Sequence, residues 1–139
     1  MSSSDLADEV WRAIASLVTD NRDGWKRAVV EQTGLPFSRI RILKRLSRQP
    51  MTVKQLAHAA AIDAPATTVA VNDLEDRGLV VRETDPTNRR CKVVSLTDAG
   101  RGMVRKIDTV DDPAPNVLSV LDEAQLKELK AIIDNLVAN

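Results

Sequence analysis

Apolar residues recur at helical spacing from the N-terminus onwards, with a period of about 3.6 residues. Over the first part of the chain these positions are Leu6, Val10, Ile14, Leu17, Val18, Trp25, Ala28 and Val29. The spacing predicts a helix from residue 5 to about residue 33, with Ser4 near its capped start. The stretch DNRDG at residues 20–24 weakens the pattern, so we expect one helix with a local defect or two collinear pieces.

A second helix is predicted from Pro36, with Ile40, Leu43 and Leu46 inward and its end before Pro50. Its remaining faces carry five basic side chains, so this helix is amphipathic and strongly basic on its outer faces: Arg39, Arg41, Lys44, Arg45 and Arg48. Helices of this kind cover a core with one side and present charge to solvent or to a partner.

The following segment has the pattern of a helix-turn-helix. Thr52 can cap a first short helix, and Gln55 completes a capping box with it. Asp63 can cap a second helix, in which Pro65 suits the first turn and Gly78 ends the helix. The inward positions of the two helices are Val53, Leu56, Ala57, Ala60, Thr67, Ala70, Val71 and Leu74. Two short helices joined by a tight turn form a helix-turn-helix.

Two runs rich in β-branched residues, GLVVRETD and RRCKVVSLT, flank a turn at Pro86, Thr87 and Asn88. They predict a β-hairpin directly behind the second helix, which makes the unit a winged helix. Thr97 can then cap a further helix, which Pro113 and Pro115 would end or kink. The inward positions of this helix are Met103, Val104, Ile107 and Val110.

A last helix is predicted from Asp122, where Gln125 completes another capping box. Its apolar stripe consists of Leu126, Leu129, Ile132, Ile133, Leu136 and Val137. This stripe is wider than one winged-helix core can cover, so we expect the terminal helices to bury it against a second subunit. The predicted fold is therefore mainly α with a small β-hairpin, an α+β winged helix-turn-helix with dimerisation helices at both ends.

The formal charge is zero overall, but the charged residues are segregated along the chain. Residues 1–36 carry four basic and six acidic side chains, and residues 107–139 carry two basic and seven acidic ones. Residues 37–106 carry fourteen basic and seven acidic side chains, a net charge of +7. A block of this charge is typical of a polyanion binder, although a set of solvated helix faces has the same composition.

The sequence offers little reason to expect a metal, a cofactor or catalysis. The single Cys91 and the single His58 belong to no group with metal-ligand spacing. No nucleophile elbow or phosphate-binding glycine loop occurs, so an enzyme is not expected. The N-terminus has no signal-peptide pattern, and no run of about 18 apolar residues occurs, so we expect a cytoplasmic protein.

The order of several motifs resembles the MarR family of bacterial transcriptional regulators. These motifs are LEDRGLVVR from Leu74, DPTNRR from Asp85 and VSLTDAG from Val94, within a resemblance that covers nearly the whole chain. It implies a homodimeric repressor with two winged helices on a pseudo-palindromic operator. Residues 1–35 and 111–139 would form the dimerisation region, and residues 36–110 the DNA-binding domain. It further implies release from DNA by a small aromatic acid or phenol, or by an oxidant.

In such a protein the second helix of the helix-turn-helix enters the major groove, and its outward residues contact bases. The outward residues are Pro65, Ala66, Thr68, Val69 and Asn72. Asn72 can read adenine through two hydrogen bonds, Thr68 can reach a phosphate or a base, and Ala66 or Val69 can touch a thymine methyl group. Simple surface filling is the alternative for Thr68 and Asn72.

Arg90 and, secondarily, Arg89 match arginines that enter a narrow minor groove, whereas a solvated turn is the alternative for them. The further phosphate contacts that we predict are Lys92, Arg82, Arg77, Arg41 and Lys54. Family members commonly have Asp two residues before the wing arginine, where this chain has Asn88. Members also often have a basic residue on the recognition helix, where this chain has Val69 and Asp73.

Trp11, Arg12 and Trp25 lie in the N-terminal segment, which in this family lines the crevice between the dimer base and the DNA-binding lobe. A ring with a guanidinium suits an aromatic carboxylate such as salicylate, whereas dimer-interface core is the more common role for both Trp side chains. Cys91 follows two arginines that favour its thiolate, so a redox-sensing regulator is one alternative. A winged helix that binds protein and no operator is the other.

Overall fold

The computed structural model describes residues 2–138, which form seven α-helices and one antiparallel β-hairpin. The helices are α1 Ser3–Asp20, α2 Asp23–Thr33, α3 Phe37–Leu46, α4 Val53–Ala60, α5 Ala64–Asp76, α6 Asp98–Asp108 and α7 Glu123–Val137. The strands are β1 Val80–Asp85 and β2 Asn88–Leu96, and a 3₁₀ turn at Asn116–Val120 precedes α7. The arrangement confirms the predicted class, a mainly helical winged helix-turn-helix.

The N-terminal region departs from the prediction at its first cap and matches it at the break. Ser2, and not Ser4, caps α1: the Ser2 hydroxyl oxygen accepts from the Asp5 backbone N–H at 3.2 Å, and the Asp5 carboxylate accepts from the Ser2 N–H. Of the two alternatives predicted for residues 5–33, the structure has two helical pieces, because α1 ends at Asp20 and α2 begins at Asp23. At the break the side-chain amide of Asn21 donates to the Leu17 carbonyl at 2.8 Å, a local bond that satisfies one carbonyl of the helix end.

The helix-turn-helix of α4 and α5 has the predicted caps. Thr52 and Gln55 form the reciprocal capping box at the start of α4. Asp63 caps α5 by accepting from the Ala66 N–H at 2.8 Å. The helix ends before Gly78, whose φ of 75° is the left-handed conformation that glycine adopts without steric cost.

The hairpin holds an irregularity that the sequence pattern does not predict. The strands pair regularly from Val80 opposite Leu96 to Thr84 opposite Lys92, and then Asp85 pairs with Asn88. Asn88 therefore belongs to β2, and the turn is shorter than predicted. Residues 89–91 have no partner on β1, so the two wing arginines stand in a bulge beside the turn.

The core lies under the helix-turn-helix, where α3, α4, α5, β2 and α6 converge. Its fully buried side chains include Ile40, Ile42, Leu43, Leu56, Val71, Leu74, Val94 and Ile107. Ile42 is buried although it was not among the predicted inward residues of α3, so the apolar face of this helix is wider than its pattern indicated. A fully buried aliphatic side chain contributes about 1.5–3 kcal/mol relative to an exposed one, so these residues fix the position of α5 and of the hairpin.

The helix that precedes the C-terminal region ends earlier than predicted. Helix α6 ends at Asp108, well before Pro113, so the prolines follow the helix end and do not cause it. Helix α7 has the predicted capping box of Asp122 and Gln125.

None of the described residues of α1 or α7 is buried, and their apolar stripes face outward from the single chain. Within residues 2–138 no helix is both long and apolar enough to cross a membrane.

Candidate nucleic-acid interface

The outer face of α5 presents the predicted recognition residues together. Pro65, Ala66, Thr68, Val69 and Asn72 are all exposed, whereas Thr67, Ala70, Val71 and Leu74 on the opposite face are buried. Val69 is 60% exposed and is the largest apolar side chain on this face. The Thr68 hydroxyl donates to the Ala64 carbonyl at 3.1 Å, so its oxygen still has lone pairs to accept from a partner.

Asn72 is held by a residue of the hairpin. The Nη2 atom of Arg82 on β1 donates to the Asn72 Oδ1 atom at 2.6 Å, and its Nη1 atom donates to the Glu75 carboxylate at 3.1 Å. Arg82 was predicted to contact phosphate, but here its guanidinium bridges two side chains of α5. The bridge ties the recognition helix to the wing.

A second ion-pair cluster surrounds Asp73, also on α5. Arg39 of α3 donates to its carboxylate at 3.1 Å, and the Nε atom of Arg77 lies 3.1–3.2 Å from both carboxylate oxygens. The hydrogen bond from Arg39 lowers the pKa of the Asp73 carboxyl below its ordinary value, and Arg77 adds to this effect. Asp73 therefore anchors α5 to α3, and Arg77 is already paired on the protein. The sequence contains no signal for the contact between Arg39 and Asp73, which are far apart in the chain.

The wing presents Arg89, Arg90 and Lys92 to solvent. Asn88 organises their segment through the backbone: its Oδ1 atom accepts from the Arg90 N–H at 3.2 Å. This contact shapes the bulge through the backbone and does not involve a guanidinium. Across the turn, Asp85 accepts from the backbone N–H of Thr87 at 2.9 Å and from its hydroxyl at 2.8 Å. The backbone hydrogen bond from Thr87 lowers the pKa of Asp85.

Two other predicted phosphate contacts lie on different helices. Lys54 is exposed in the first turn of α4, and Arg41 is exposed on α3. Arg41 lines a cleft beside α2, apart from the outer face of α5. Two of the cations predicted to contact phosphate already form ion pairs within residues 2–138. Arg77 and Arg82 pair with acidic side chains of α5.

The cleft between α2 and α3 has a volume of about 630 Å³. The rings of Trp25 and Phe37 meet edge to face in its wall, with their centroids 5.8 Å apart. The Arg22 guanidinium lies 4.4 Å from the Trp25 centroid, and the Lys26 ammonium lies 5.1 Å from the Phe37 centroid. Its basic lining residues are Arg22, Lys26, Arg41, Lys44, Arg45 and Arg48, and none of the described residues that line it is acidic.

Of the three predicted ligand contacts, only Trp25 lines this cleft. Trp11 is 69% exposed and Arg12 is exposed, and both lie on α1 outside it. Cys91 is partly buried and accepts a weak hydrogen bond at 3.5 Å from the Asn88 amide. Within the described part of the chain no cluster of His, Cys, Asp and Glu has the arrangement of a metal site.

Comparisons with known proteins agree with this architecture. A model of the MarR family matches residues 33–90, which extend from the end of α2 to the wing arginines. The transcriptional regulator BldR from Sulfolobus solfataricus is 25% identical over 99% of both chains, with a TM-score of 0.69. The apo form of MarR from E. coli is 16% identical, covering 89% of this chain and 94% of its own, with a TM-score of 0.74. A mutant of MepR from S. aureus, bound to an oligodeoxyribonucleotide, is 20% identical over 95% of this chain and 96% of its own, with a TM-score of 0.59.

Proposed function

Since the chain belongs to the MarR family of DNA-binding, winged-helix transcriptional regulators, which are not enzymes, we propose that it is a homodimeric repressor of a pseudo-palindromic operator. The observation that carries this proposal is the exposed outer face of α5, followed in the chain by a hairpin whose bulge holds two exposed arginines. A helix of this kind fits the major groove while such arginines reach the neighbouring minor groove. Such a repressor would act in the cytoplasm.

Each predicted residue has a proposed role in this complex. Asn72, Thr68, Val69, Ala66 and Pro65 contact base edges from α5. Arg90 enters the minor groove, where the negative potential is strongest, and Arg89 supports it. The proposed phosphate contacts are Lys92, Lys54, Arg41, Arg77 and Arg82. The last two contribute less than a free cation, because each must give up or share an ion pair on α5.

The proposed dimer follows from the uncovered stripes of α1 and α7. Their apolar side chains are 37–79% exposed in the single chain, and they include Leu6, Val10, Leu129 and Ile133. Exposed apolar surface of this extent on two helices marks an interaction site. A second copy of the chain would bury it with the twofold symmetry that a pseudo-palindromic operator needs.

The Arg90→Ala variant is expected to bind the operator about 1–3 kcal/mol more weakly, because it removes a cation from the minor groove. The affinity would be measured by fluorescence polarisation over a range of salt concentrations, with an operator obtained by genomic binding-site selection. The salt slope should also fall in magnitude by about 1.

Arg27→Ala is the matched control, since it also removes an exposed arginine, but from α2, outside the proposed interface. It should leave the affinity nearly unchanged. Equal affinities of wild type and Arg90→Ala would contradict the role of the wing, and the absence of any enriched palindrome would contradict operator binding.

The cleft between α2 and α3 supports a proposed effector, a small aromatic acid or phenol such as salicylate. Its two rings can pack against an aromatic ring, and its cations, of which Lys44 already pairs with Asp108, can neutralise a carboxylate. A bound effector must favour a position of the winged helix that fits the operator less well, because only a difference in affinity between states shifts their populations.

Salicylate is expected to release wild-type protein from a labelled operator, and Trp25→Leu should reduce this response by about tenfold in the salicylate concentration needed. Polarisation titrations of the preformed complex would measure the release. Trp11→Leu makes the same change outside the cleft and Arg12→Ala tests the neighbouring cation. Loss of the response in these two variants, with Trp25→Leu unaffected, would move the effector site to α1.

A further inference from the structure

The wing is anchored to the helices at the base of the hairpin. Val80 and Val94 are buried in the core, and the Met51 backbone pairs with that of Val94. Toward the turn the strands become mostly exposed, and within residues 2–138 the hydrogen bonds of residues 83–92 stay inside the hairpin. Arg82 is therefore the last residue before the turn that bonds the hairpin to a helix.

Arg82 forms a bridge from this point of the hairpin to α5. Its Nη1 atom donates to the Glu75 carboxylate at 3.1 Å, and its Nη2 atom donates to the Asn72 Oδ1 atom at 2.6 Å. The two partners are three residues apart on one face of the helix, and the Arg82 side chain is only 22% exposed. A planar guanidinium that donates to two such acceptors is restrained in direction as well as in position.

We infer, on the basis of the proposed function, that Arg82 is a positioning residue whose bridge to Glu75 and Asn72 sets the tilt of the wing on α5. The bridge holds Arg90 at the minor groove while α5 lies in the major groove. It uses two of the five N–H donors of the guanidinium, so a contact between Arg82 and phosphate is compatible with it. The affinity that Arg90 contributes should consequently depend on Arg82.

The length of the hairpin beyond Arg82 makes its tilt important. Arg82 pairs with Val94, and Asp85 is the last paired residue of β1 before the turn. At about 3.3 Å per residue this part of the hairpin is about 10 Å long, so a tilt of about 10° moves its tip by about 2 Å. The minor groove is only about 6 Å wide, so such a movement misplaces Arg90. A two-stranded ribbon has little stability of its own with which to resist the tilt.

The test is a double-mutant cycle between Arg82 and Arg90 in the full-length protein. Wild type, Arg82→Met, Arg90→Ala and the double variant would be titrated with the selected operator by fluorescence polarisation. Arg90→Ala alone should weaken binding by about 5–150-fold. In the Arg82→Met background this factor should be smaller by about threefold or more, because the wing is no longer held at the groove. Two independent contacts would instead give factors that multiply.

Arg77→Met is the matched control for this cycle. It also removes a guanidinium that pairs with an acidic side chain of α5, but Arg77 bonds to Asp73 and not to the hairpin. Arg90→Ala should therefore cost the same factor in the Arg77→Met background as in wild type. Arg82→Lys keeps the positive charge but not the planar fork, so it should reduce the cost of Arg90→Ala as Arg82→Met does. Circular dichroism would verify that each variant is folded.

Glu75 allows a second measurement, in which the bridge reverses the sign of an electrostatic effect. Removal of an acidic side chain from a DNA-binding lobe ordinarily strengthens its binding to phosphate. Glu75→Ala should instead weaken operator binding by about threefold, because it releases one end of the bridge. Asp76→Ala is the control, since Asp76 is the next residue, is exposed and has no part in the ion pairs found in residues 2–138. It should bind as tightly as wild type or slightly more tightly.

The remaining outcomes separate the inference from the proposed function. Equal costs of Arg90→Ala in the wild-type and Arg82→Met backgrounds would overturn the inference while operator binding stands. Arg90→Ala that binds as tightly as wild type would overturn it too, because Arg82 would have no wing contact to position. Glu75→Ala that binds at least as tightly as Asp76→Ala would contradict the bridge. Absence of sequence-specific binding by wild type would overturn the proposed function itself.

Discussion

Gly100→Ala is expected to destabilise the protein by about 3 kcal/mol, as overpacking of a rigid core site does. Gly100 is buried in the first turn of α6, where a Cβ atom would overlap the carbonyl oxygen of Leu79 and lie 3.1 Å from its carbon. The oxygen cannot easily move, because it also accepts from the Thr97 N–H at 3.1 Å. Thr97 in turn donates to the Gly78 carbonyl and accepts from the Gly100 N–H at 3.0 Å.

Gly102→Ala is a close control, because the two glycines lie on the same helix. The nearest atom to a Cβ at Gly102 is the flexible end of Arg105, 3.7 Å away. This variant should be neutral or more stable by up to about 1 kcal/mol, since alanine favours the helix. Urea unfolding followed by circular dichroism would measure both. Equal stabilities of the two variants would contradict the prediction. They would show that the backbone at Leu79 shifts to accommodate a Cβ atom at Gly100 despite its hydrogen bond.

The helices and their caps could be predicted because they depend on neighbours within one turn. The capping boxes at Thr52 and Asp122 and the cap at Asp63 all appear as predicted. A cap bonds to residues two or three positions along the chain, so the sequence contains both partners at a known spacing. For the same reason the core face of α5 could be predicted from its period of about 3.6 residues.

The contacts that shape the candidate interface could not be predicted in this way. The bonds of Arg82 to Asn72 and of Arg39 to Asp73 join residues on different elements, and no spacing rule relates them. The bulge that holds Arg89 and Arg90 depends on strand register, which is set by the pairing and not by either strand alone. Two cations predicted to meet phosphate, Arg77 and Arg82, consequently serve first to hold α5.

The largest effect on operator binding is expected from the double variant Leu129→Glu and Ile133→Glu. The two side chains stand one turn apart in the stripe of α7 and are 37% and 46% exposed in the single chain. Carboxylates there would be buried without partners in the proposed dimer, so the subunits should separate. Each winged helix would then bind its half-site alone, and the loss of the linked second contact should weaken operator binding by about 10²–10⁴-fold.

The double variant Ala124→Glu and Ala131→Glu adds the same charge to α7 on exposed positions away from the stripe. Sedimentation should show it as a dimer, like wild type, and its operator affinity should stay close to that of wild type. A stripe variant that sediments as a monomer but keeps full affinity would contradict the coupling between dimerisation and DNA binding. A wild type that sediments as a monomer would contradict the dimer itself.

Salt provides an independent test, because the two interfaces should respond to it with opposite sign. The segments that carry α1 and α7 are acidic, with seven carboxylates and two basic residues in residues 107–139. Two such segments repel each other in the dimer, and salt screens this repulsion while the buried apolar stripes are unaffected. Salt weakens DNA binding, since the cations of the winged helix displace counterions from phosphate. Dimerisation that strengthens while operator binding weakens over one salt series would therefore assign the acidic helices to the subunit interface and the basic lobe to DNA.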